Sequence, residues 1–276
     1  NFAGRSGTTG DQVYLVSPET AVAAALAGEI VDPRVLAEKT GMKYPRIAQP
    51  KQFMLDDRMT TPPLPPEQAG AVEIIRGSTI VKPPRGEKLP DTLAGEVAIK
   101  VGDKITTDHI MPAGALLKYR SNVPEYAKYV FNCFANGNDT FYNATQAVKQ
   151  AARASVIVAG DSYGQGSSRE HAALCPMYLG VRVVIAKAIE RIHQANLVNF
   201  GILPLTFANA ADYERIEKSD QLTIESVHAA VASADSVTVK NVTKNFTFTC
   251  HVKLAPRQRL ILAAGGLLNY TREGGK

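Results

Sequence analysis

Residues 160–174 contain a glycine-rich turn that is followed by two hydroxyl side chains and a guanidinium. Gly164 and Gly166 lie just before Ser167, Ser168 and Arg169. Glycine permits a tight backbone in which successive N–H groups converge on an anion, and an arginine pairs with a carboxylate in a planar, bidentate geometry. The segment therefore predicts a carboxylate-binding site, although a solvated glycine turn with a serine cap contains the same residue types.

A second polar cluster precedes this turn in the chain. Thr107, Asp108 and His109 directly follow a strand-like stretch, and Arg120 lies in what is expected to be the next turn. His109 and His171 flank the predicted anion site and could assist protonation there, but a neutral imidazole bonded to backbone is the commoner state of such residues.

Together these segments resemble the aconitase family. The matching motifs are Gly-Asp-x-x-Thr-Thr-Asp-His-Ile at 102–110, Leu-Lys-Tyr-Arg at 117–120, Gly-Ser-Ser-Arg-Glu-His at 166–171, and the stretch 187–207. They follow the order of the family's C-terminal swivel domain, and the resemblance covers nearly the whole chain. It implies an α/β fold of the three-layer β/β/α swivel type with a mixed sheet, whereas pattern alone indicates only a mixed α/β protein.

The resemblance also implies roles for individual residues. Ser167 matches the base that takes a carbon-bound proton from the substrate. A serine is a weak base, so its ionised form needs a nearby cation such as Arg169. Asp108 is expected to orient Ser167 or Arg169. The residues that the resemblance implies for substrate binding are Arg5, Thr107, Asp108, Arg120, Ser168 and Arg169.

The implied reaction is that of a hydro-lyase, the reversible isomerisation of citrate and isocitrate through cis-aconitate. Arg120 matches an arginine that binds a further substrate carboxylate, which favours these tricarboxylates over isopropylmalate, whose alkyl group lies there. The Leu-Lys-Tyr-Arg motif favours aconitase over homoaconitase. Met111 stands where the family often has serine, so the hydroxyl contact of that serine is missing or supplied by water.

The three cysteines do not resemble ligands of an iron–sulfur cluster. Cys133, Cys175 and Cys250 lie 42 and 75 residues apart and form no Cys-x-x-Cys pair, so we interpret them as reduced thiols in a folded domain. The family resemblance nevertheless implies a 4Fe-4S cluster in the full-length protein. Its cysteine ligands are expected outside this chain, in N-terminal cluster-binding domains of the same protein.

Composition narrows the class of protein. Hydrophobic residues make up 45% and charged residues 21% of the chain, and no apolar run approaches the roughly 20 residues of a membrane span. The net charge of +5 is spread along the chain without a basic stripe interleaved with aromatic residues, which speaks against nucleic acid as the main ligand. We expect a cytoplasmic protein, or one of the mitochondrial matrix if the source is eukaryotic.

Three alternative functions stay open at this point. The chain could belong to a homoaconitase or resemble the separate small subunit of an isopropylmalate isomerase. It could also resemble the iron-regulatory proteins, whose cleft binds RNA through arginines that otherwise hold carboxylates.

Proline divides the chain. Nine of the 16 prolines lie between Pro45 and Pro90, where they oppose both helix and sheet and favour an extended path. We therefore expect a remnant of the cluster-binding core domain at 1–44, a proline-rich interdomain linker at 45–92, and the swivel domain at 93–276.

The remnant is predicted to be a short βα piece. A strand is predicted at Gln12–Val16, followed by a helix at Thr20–Ala27 and a second that begins at Asp32-Pro33 and is ended by Gly41. The first five residues resemble the end of the family's Asn-Arg-Asn-Phe-x-Gly-Arg motif, which makes Arg5 a substrate arginine. These features are expected of a chain covalently joined to further domains, and the isolated fragment is expected to be inactive.

From Leu93 onward the pattern predicts strands and helices in turn. The predicted strands are Glu96–Val101, Ser155–Ala159, Arg182–Ala186, Gly201–Leu205, Gln221–Ile224, Ser236–Lys240 and Asn245–Lys253. The predicted helices are Asp139–Arg153, His171–Leu179, Glu190–Asn199, Ala210–Lys218 and Pro256–Ala263. Apolar strands that alternate with helices favour a parallel arrangement, and the polar-alternating strands after residue 236 favour an antiparallel hairpin.

Overall fold

The computed structural model of the chain describes residues 10, 12, 14–43, 46, 48–167 and 169–275. The chain forms two compact units, which divide between Val72 and Glu73. The division lies inside the predicted linker, so residues 73–92 group with the strand-rich part of the chain. The boundary of the swivel domain at Leu93 stays a prediction.

Within its described residues, the first unit contains three short helices, and side chains just before the first two cap their N-termini. Ser17 Oγ accepts a hydrogen bond from Thr20 N at 3.2 Å, and Asp32 Oδ1 accepts one from Arg34 N at 2.9 Å. Such side-chain acceptors satisfy N–H groups that have no partner within the helix. The helices are α1 (Pro18–Ala27), α2 (Pro33–Thr40) and α3 (Pro66–Ala69).

The strand predicted at Gln12–Val16 is wrong. Gln12 and residues 14–16 are irregular. A strand needs a hydrogen-bonded neighbour, and the part of this unit that the structure describes contains helices and irregular segments only.

The strands of the second unit close into a barrel. They are β1 (Leu93–Val101), β2 (Ala154–Ala159), β3 (Val181–Ala186), β4 (Leu203–Phe207), β5 (Gln221–Ile224), β6 (Ser236–Asn241) and β7 (Phe246–His251). Around the barrel their order is β1-β2-β3-β4-β7-β6-β5. The first four pair in parallel, and all other pairs are antiparallel. The predicted parallel centre with a late antiparallel hairpin is confirmed.

The helices of this unit lie between and after the strands. They are α4 (Thr107–Ile110), α5 (Val123–Tyr126), α6 (Phe141–Gln150), α7 (His171–Tyr178), α8 (Arg191–Asn199), α9 (Val227–Ala232), α10 (Pro256–Ala263) and α11 (Leu267–Arg272). The sequence pattern did not predict α4, α5, α9 or α11, because helices of four to six residues are too short to establish a 3.6-residue period.

Side chains of the parallel strands alternate between two cores. Val156 and Val158 of β2 pack in one core with Val239 and other residues of the antiparallel strands. Ile157 and Ala159, on the opposite face of β2, pack in a second core with residues of α4–α7. Antiparallel strands, parallel strands and helices thus form successive layers, which agrees with the predicted β/β/α class.

Most predicted elements differ from the observed ones by one to three residues at an end, and two of the differences have a visible cause. The strand predicted at Gly201–Leu205 starts at Leu203, because Gly201 has a φ of 73° in the turn after α8. The helix predicted at Ala210–Lys218 is a 3₁₀ helix at Ala210–Arg215. It ends there because Ile216 turns to an extended backbone and is fully buried in the first core.

Candidate functional site

The two polar motifs follow adjacent parallel strands. β1 ends at Val101 and β2 at Ala159, and these residues are partners in the register. The loops 102–106 and 160–170 therefore leave the barrel at the same end. The carboxyl ends of parallel strands are where ligands bind in α/β folds.

Backbone hydrogen bonds fasten these loops to each other. Lys104 N donates to Asp161 O at 2.7 Å, and Thr107 N donates to Gln165 O at 2.9 Å. Asp103 adds a side-chain contact, as its Oδ1 accepts from Asp161 N at 2.7 Å. The side chains that the loops carry are thus presented from a cross-linked backbone.

Ser167 is exposed in the second of these loops, and Thr107, which is buried, supports it. Thr107 Oγ1 donates to Ser167 O at 3.0 Å, and Thr107 is only 2% exposed. The hydroxyl of Thr107 therefore supports the backbone of the predicted base. A direct contact of Thr107 with substrate stays a prediction.

Asp108 and Arg169 form an ion pair across the two loops. Nη1 of Arg169 donates a charge-assisted hydrogen bond to Oδ1 of Asp108. The predicted contact between these residues is therefore present. A guanidinium has five N–H donors and this bond uses one of them. Asp108 thereby orients the positive charge of Arg169, which lies two residues after Ser167 in the chain.

The glycine turn uses its N–H groups differently from the sequence-based expectation. Gly164 N and Gln165 N both donate to Ile105 O, at 2.8 and 3.0 Å. The prediction that successive N–H groups of this turn converge on an anion is wrong for these two, because they fasten the turn to the neighbouring loop. Gly164 has a φ of 83°, and a Cβ there would lie 2.2 Å from Cγ of His193.

A buried aromatic pair forms the floor beneath this glycine, and sequence reasoning missed it. His193 is 1% exposed and Tyr163 is completely buried, with ring centroids 5.1 Å apart. Burial lowers the pKa of His193 to about 4, so the imidazole is neutral. The available signal was the spacing of His193 and Leu197, since residues four apart share a helix face and Leu197 is apolar.

Arg120 lies at the end of a 3₁₀ helix, Gly114–Tyr119, with its side chain exposed. The carbonyl oxygen of Arg120 is 2.9 Å from Nε2 of His171, the first residue of α7. The segment that carries Arg120 is therefore tied to the helix that follows Arg169.

His109 and Met111 have structural environments. The side chain of His109 completes a capping box at the start of α4, where Nδ1 accepts from Thr106 N at 3.1 Å and Thr106 Oγ1 accepts from His109 N at 3.1 Å. Met111 is fully buried in the second core. Its side chain is thus not exposed at the surface that bears Ser167.

The described cysteines are not arranged to hold an iron–sulfur cluster. Cys175 packs in the second core and Cys250 in the first, on opposite faces of the sheet, whereas Cys133 is exposed. Burial raises the pKa of Cys175 to about 12, which disfavours the thiolate that a metal needs. Among the residues that the structure describes, no three His, Cys, Asp or Glu side chains are grouped as metal ligands.

Two predicted substrate residues, Arg5 and Ser168, lie outside the described residues. Of the other predicted site residues, the fold brings Thr107, Asp108, Ser167 and Arg169 together and ties Arg120 to them through His171. In the described ranges no helix has both the length and the apolar content that crossing a membrane requires.

The chain is similar to known proteins in both sequence and structure. The family model described as the aconitase C-terminal domain matches residues 108–210. A putative mitochondrial aconitate hydratase of Aspergillus fumigatus is 32% identical over 98% of this chain and 38% of its own length. A probable mitochondrial aconitate hydratase of Caenorhabditis elegans is 35% identical over 64% of this chain and 25% of its own length.

A solved structure is similar to this chain in sequence and fold. The crystal structure of 3-isopropylmalate dehydratase from Methanocaldococcus jannaschii matches with a TM-score of 0.53 at 30% identity, over 66% of this chain and 95% of that one. The present chain spans well under half the length of the two aconitate hydratases. From the matched motifs, the shared fold and these relatives it follows that the chain belongs to the aconitase family and carries its C-terminal domain.

Proposed function

We propose that this chain is the C-terminal part of an aconitate hydratase, a hydro-lyase that interconverts citrate and isocitrate through cis-aconitate. The observation that carries the proposal is that Ser167, Arg169 and Asp108 lie together at one end of the barrel in a member of the aconitase family. The chain alone is expected to be inactive, because dehydration also needs a Lewis acid for the departing hydroxyl.

Ser167 is the proposed base. It accepts the proton from the substrate carbon in one direction and returns it in the other. The Thr107 contact holds the backbone of Ser167 in place. The charge of Arg169, oriented by Asp108, favours the anionic form of groups beside it.

The carboxylates of the substrate are proposed to bind the arginines and hydroxyls that match the family motifs. Arg169 and Ser168 take one carboxylate, and Arg120 takes the additional carboxylate of a tricarboxylate. Arg5 is proposed as a further substrate arginine. A guanidinium suits this role because its planar donors match both carboxylate oxygens.

The remaining chemistry is assigned to partners. The 4Fe-4S cluster of the family is proposed to be held by N-terminal domains of the same protein, where it supplies the Lewis acid. Thr107 and Asp108 line the site on this side. Because the aconitate hydratase relatives bear mitochondrial names, we propose the mitochondrial matrix for a eukaryotic source, and the cytoplasm otherwise.

A second candidate is an isopropylmalate isomerase, favoured by the match to 3-isopropylmalate dehydratase over 95% of that chain. Arg120 separates the two candidates. If Arg120 binds the third carboxylate of a tricarboxylate, it would face an alkyl group in isopropylmalate and have no partner there. Burying an unpaired charge against an alkyl group is unfavourable. We therefore place tricarboxylates first.

The test is aconitate formation from isocitrate, followed in the ultraviolet, with the chain mixed with its anaerobically reconstituted cluster-binding N-terminal part. Ser167→Ala is expected to lower kcat by on the order of 10³-fold or more. Arg120→Lys is expected to lower kcat/KM by about 10- to 100-fold, because the bidentate contact is lost. Ser236→Ala and Arg191→Lys, which change exposed residues of β6 and α8, serve as matched controls.

Activity that depends on mixing, and that falls by these factors in the two site variants but not in the controls, supports the proposal. Turnover of isopropylmalate without turnover of tricarboxylates would move the chain to the second candidate. A specific RNA complex without any turnover would contradict both.

A further inference from the structure

His171 joins the two segments that carry Arg120 and Arg169. Its Nε2 lies 2.9 Å from Arg120 O. A carbonyl oxygen only accepts hydrogen bonds, so the imidazole donates from Nε2 and carries a proton there. In the chain His171 follows Arg169 by two positions, and it is the first residue of α7. One side chain thus connects the start of α7 with the loop of the other arginine.

The ring of Tyr126 packs against the imidazole of His171. Its ring centroid is 5.4 Å from that of His171, and its Oη donates to Pro112 O at 2.8 Å. Tyr126 is 1% exposed, so the ring has little freedom to move. Pro112 and Tyr126 stand on either side of Arg120 in sequence, and the hydrogen bond between them joins the two ends of this segment.

The loop itself gives Arg120 few other restraints. Arg120 N donates to Leu117 O at 3.1 Å inside the 3₁₀ helix. The next residue, Ser121, accepts from Val81 N at 3.0 Å through its carbonyl. The first bond fixes the local turn, and the second ties it to the segment around Val81. The bond from His171 is the one that ties it to the segment that follows Ser167.

We propose that His171 is a positioning residue that sets the location of Arg120 relative to Arg169 and Ser167. By holding the Arg120 backbone it sets the distance between the two guanidinium groups, and so selects substrates whose carboxylates have the matching separation. The inference rests on the proposed function, because it assigns Arg120 to a substrate carboxylate. His171 contacts neither substrate nor reacting atoms in this role.

The experiment measures isocitrate turnover by the chain mixed with its reconstituted N-terminal part, for His171→Ala and His171→Gln. His171→Ala is expected to raise KM about tenfold with a smaller change in kcat, because a lost hydrogen bond of about 1.4 kcal/mol misplaces a group that binds substrate. His171→Gln keeps an N–H donor at a similar reach and is expected to restore most of the loss. A variant that only destabilised the protein would lower kcat at an unchanged KM.

A matched control exists elsewhere in the fold. His228 Nε2 lies 2.8 Å from Leu89 O, which is the same kind of contact at a distance in sequence from the site motifs. His228→Ala is expected to leave KM unchanged. If His171→Ala does not fold, His171→Asn, whose amide is too short for the contact, replaces it in the comparison with His171→Gln.

A double variant decides whether His171 acts through Arg120. In an Arg120→Ala background the further change His171→Ala is expected to have almost no effect on KM. The inference is overturned if His171→Ala leaves KM as in the wild type while Ser167→Ala abolishes turnover, if Gln does not restore KM, or if the full effect persists without Arg120. If wild-type protein does not turn over isocitrate at all, the proposed function fails, and the inference fails with it.

Discussion

At the scale of single residues, Gly164 sets how closely the site loop approaches the helix beneath it. A Cβ at this position would overlap His193, and the φ of 83° is itself strained for other residues. The close approach holds the turn that leads to Ser167 directly over the buried imidazole. We therefore attribute the position of the loop to steric fit as much as to hydrogen bonding.

The change Gly164→Ala is expected to lower the free energy of unfolding by about 3 to 5 kcal/mol, since backbone strain and overpacking add. Gly180 provides the control. Its φ is 91°, yet a Cβ there would meet nothing within 4 Å, so Gly180→Ala is expected to cost only about 1 to 2 kcal/mol of strain. Urea denaturation measures both, and equal losses would contradict the role of the His193 contact.

His193 makes stability depend on pH. Burial lowers its pKa from 6.5 to about 4, so between these values the unfolded chain binds a proton that the folded chain does not. The stabilising contribution is complete above pH 6.5 and is lost as the pH falls toward 4, by up to about 3 kcal/mol. His193→Gln is expected to show a shallower decline of unfolding free energy in this window.

The measurement is urea unfolding at a series of pH values from 7 to 4. Tyr163→Phe keeps the imidazole and removes only the neighbouring hydroxyl, so it should retain the wild-type slope. Identical slopes for wild type and His193→Gln would show that the imidazole titrates alike in both states.

At the scale of elements, the short helix α9 depends on a side chain from α10. Arg259 Nη1 donates to Ala230 O and Val231 O, each at 3.1 Å, and Nη2 donates to Ala234 O at 3.0 Å. The last carbonyls of a helix have no partner within it, and a cation there also interacts favourably with the negative end of the helix dipole. The guanidinium thus caps α9 and attaches it to α10.

Arg259→Met keeps the aliphatic stem and removes these three bonds. It is expected to lower the free energy of unfolding by about 2 to 3 kcal/mol, because charge-assisted bonds to buried carbonyls are lost. Arg191→Met, at the exposed start of α8, should cost less than about 0.5 kcal/mol. Thermal or urea unfolding compares the pair, and similar losses in both variants would exclude the capping role.

At the scale of the whole molecule, the chain consists of a small helical unit and a barrel unit. In the barrel, β1 pairs with both β2 and β5, and β4 pairs with both β3 and β7. No strand of the barrel is therefore left with an open edge, which removes a template for aggregation. Residues 86–91 join this unit, since Asn269 Nδ2 donates to Gly86 O at 3.0 Å and Val227 N donates to Asp91 O at 2.9 Å.

Limited proteolysis with trypsin should distinguish the two units. Lys51, Arg58 and Arg76 are exposed in a region with little regular structure, so cleavage is expected there first. Mass spectrometry should find a resistant product that begins between residues 77 and 86 and ends at the C-terminus. Produced separately, that product should unfold at the same temperature as the barrel in the whole chain; early cleavage inside 93–251 would contradict this division.

Local chemistry made much of this predictable from sequence. Apolar runs that alternate with helical patterns indicated the parallel strands, and polar alternation indicated the hairpin, because burial on two faces or one imposes those periods. The spacing of glycine, serine and arginine indicated an anion site, and the motifs identified the family. Ser167, Arg169 and Asp108 were assigned to the site from the family motifs that they match, and their roles there stay predictions.

Only the tertiary structure decided how these parts meet. The ion pair of Arg169 with Asp108 joins residues 61 positions apart, and the contact of His171 with Arg120 spans 51. Closure of the barrel, the bonding of the Gly164 and Gln165 N–H groups to Ile105, and the fit of Gly164 over His193 likewise depend on strand register and helix placement. Contacts of this kind arise from packing among distant segments, which no local period or motif in the sequence specifies.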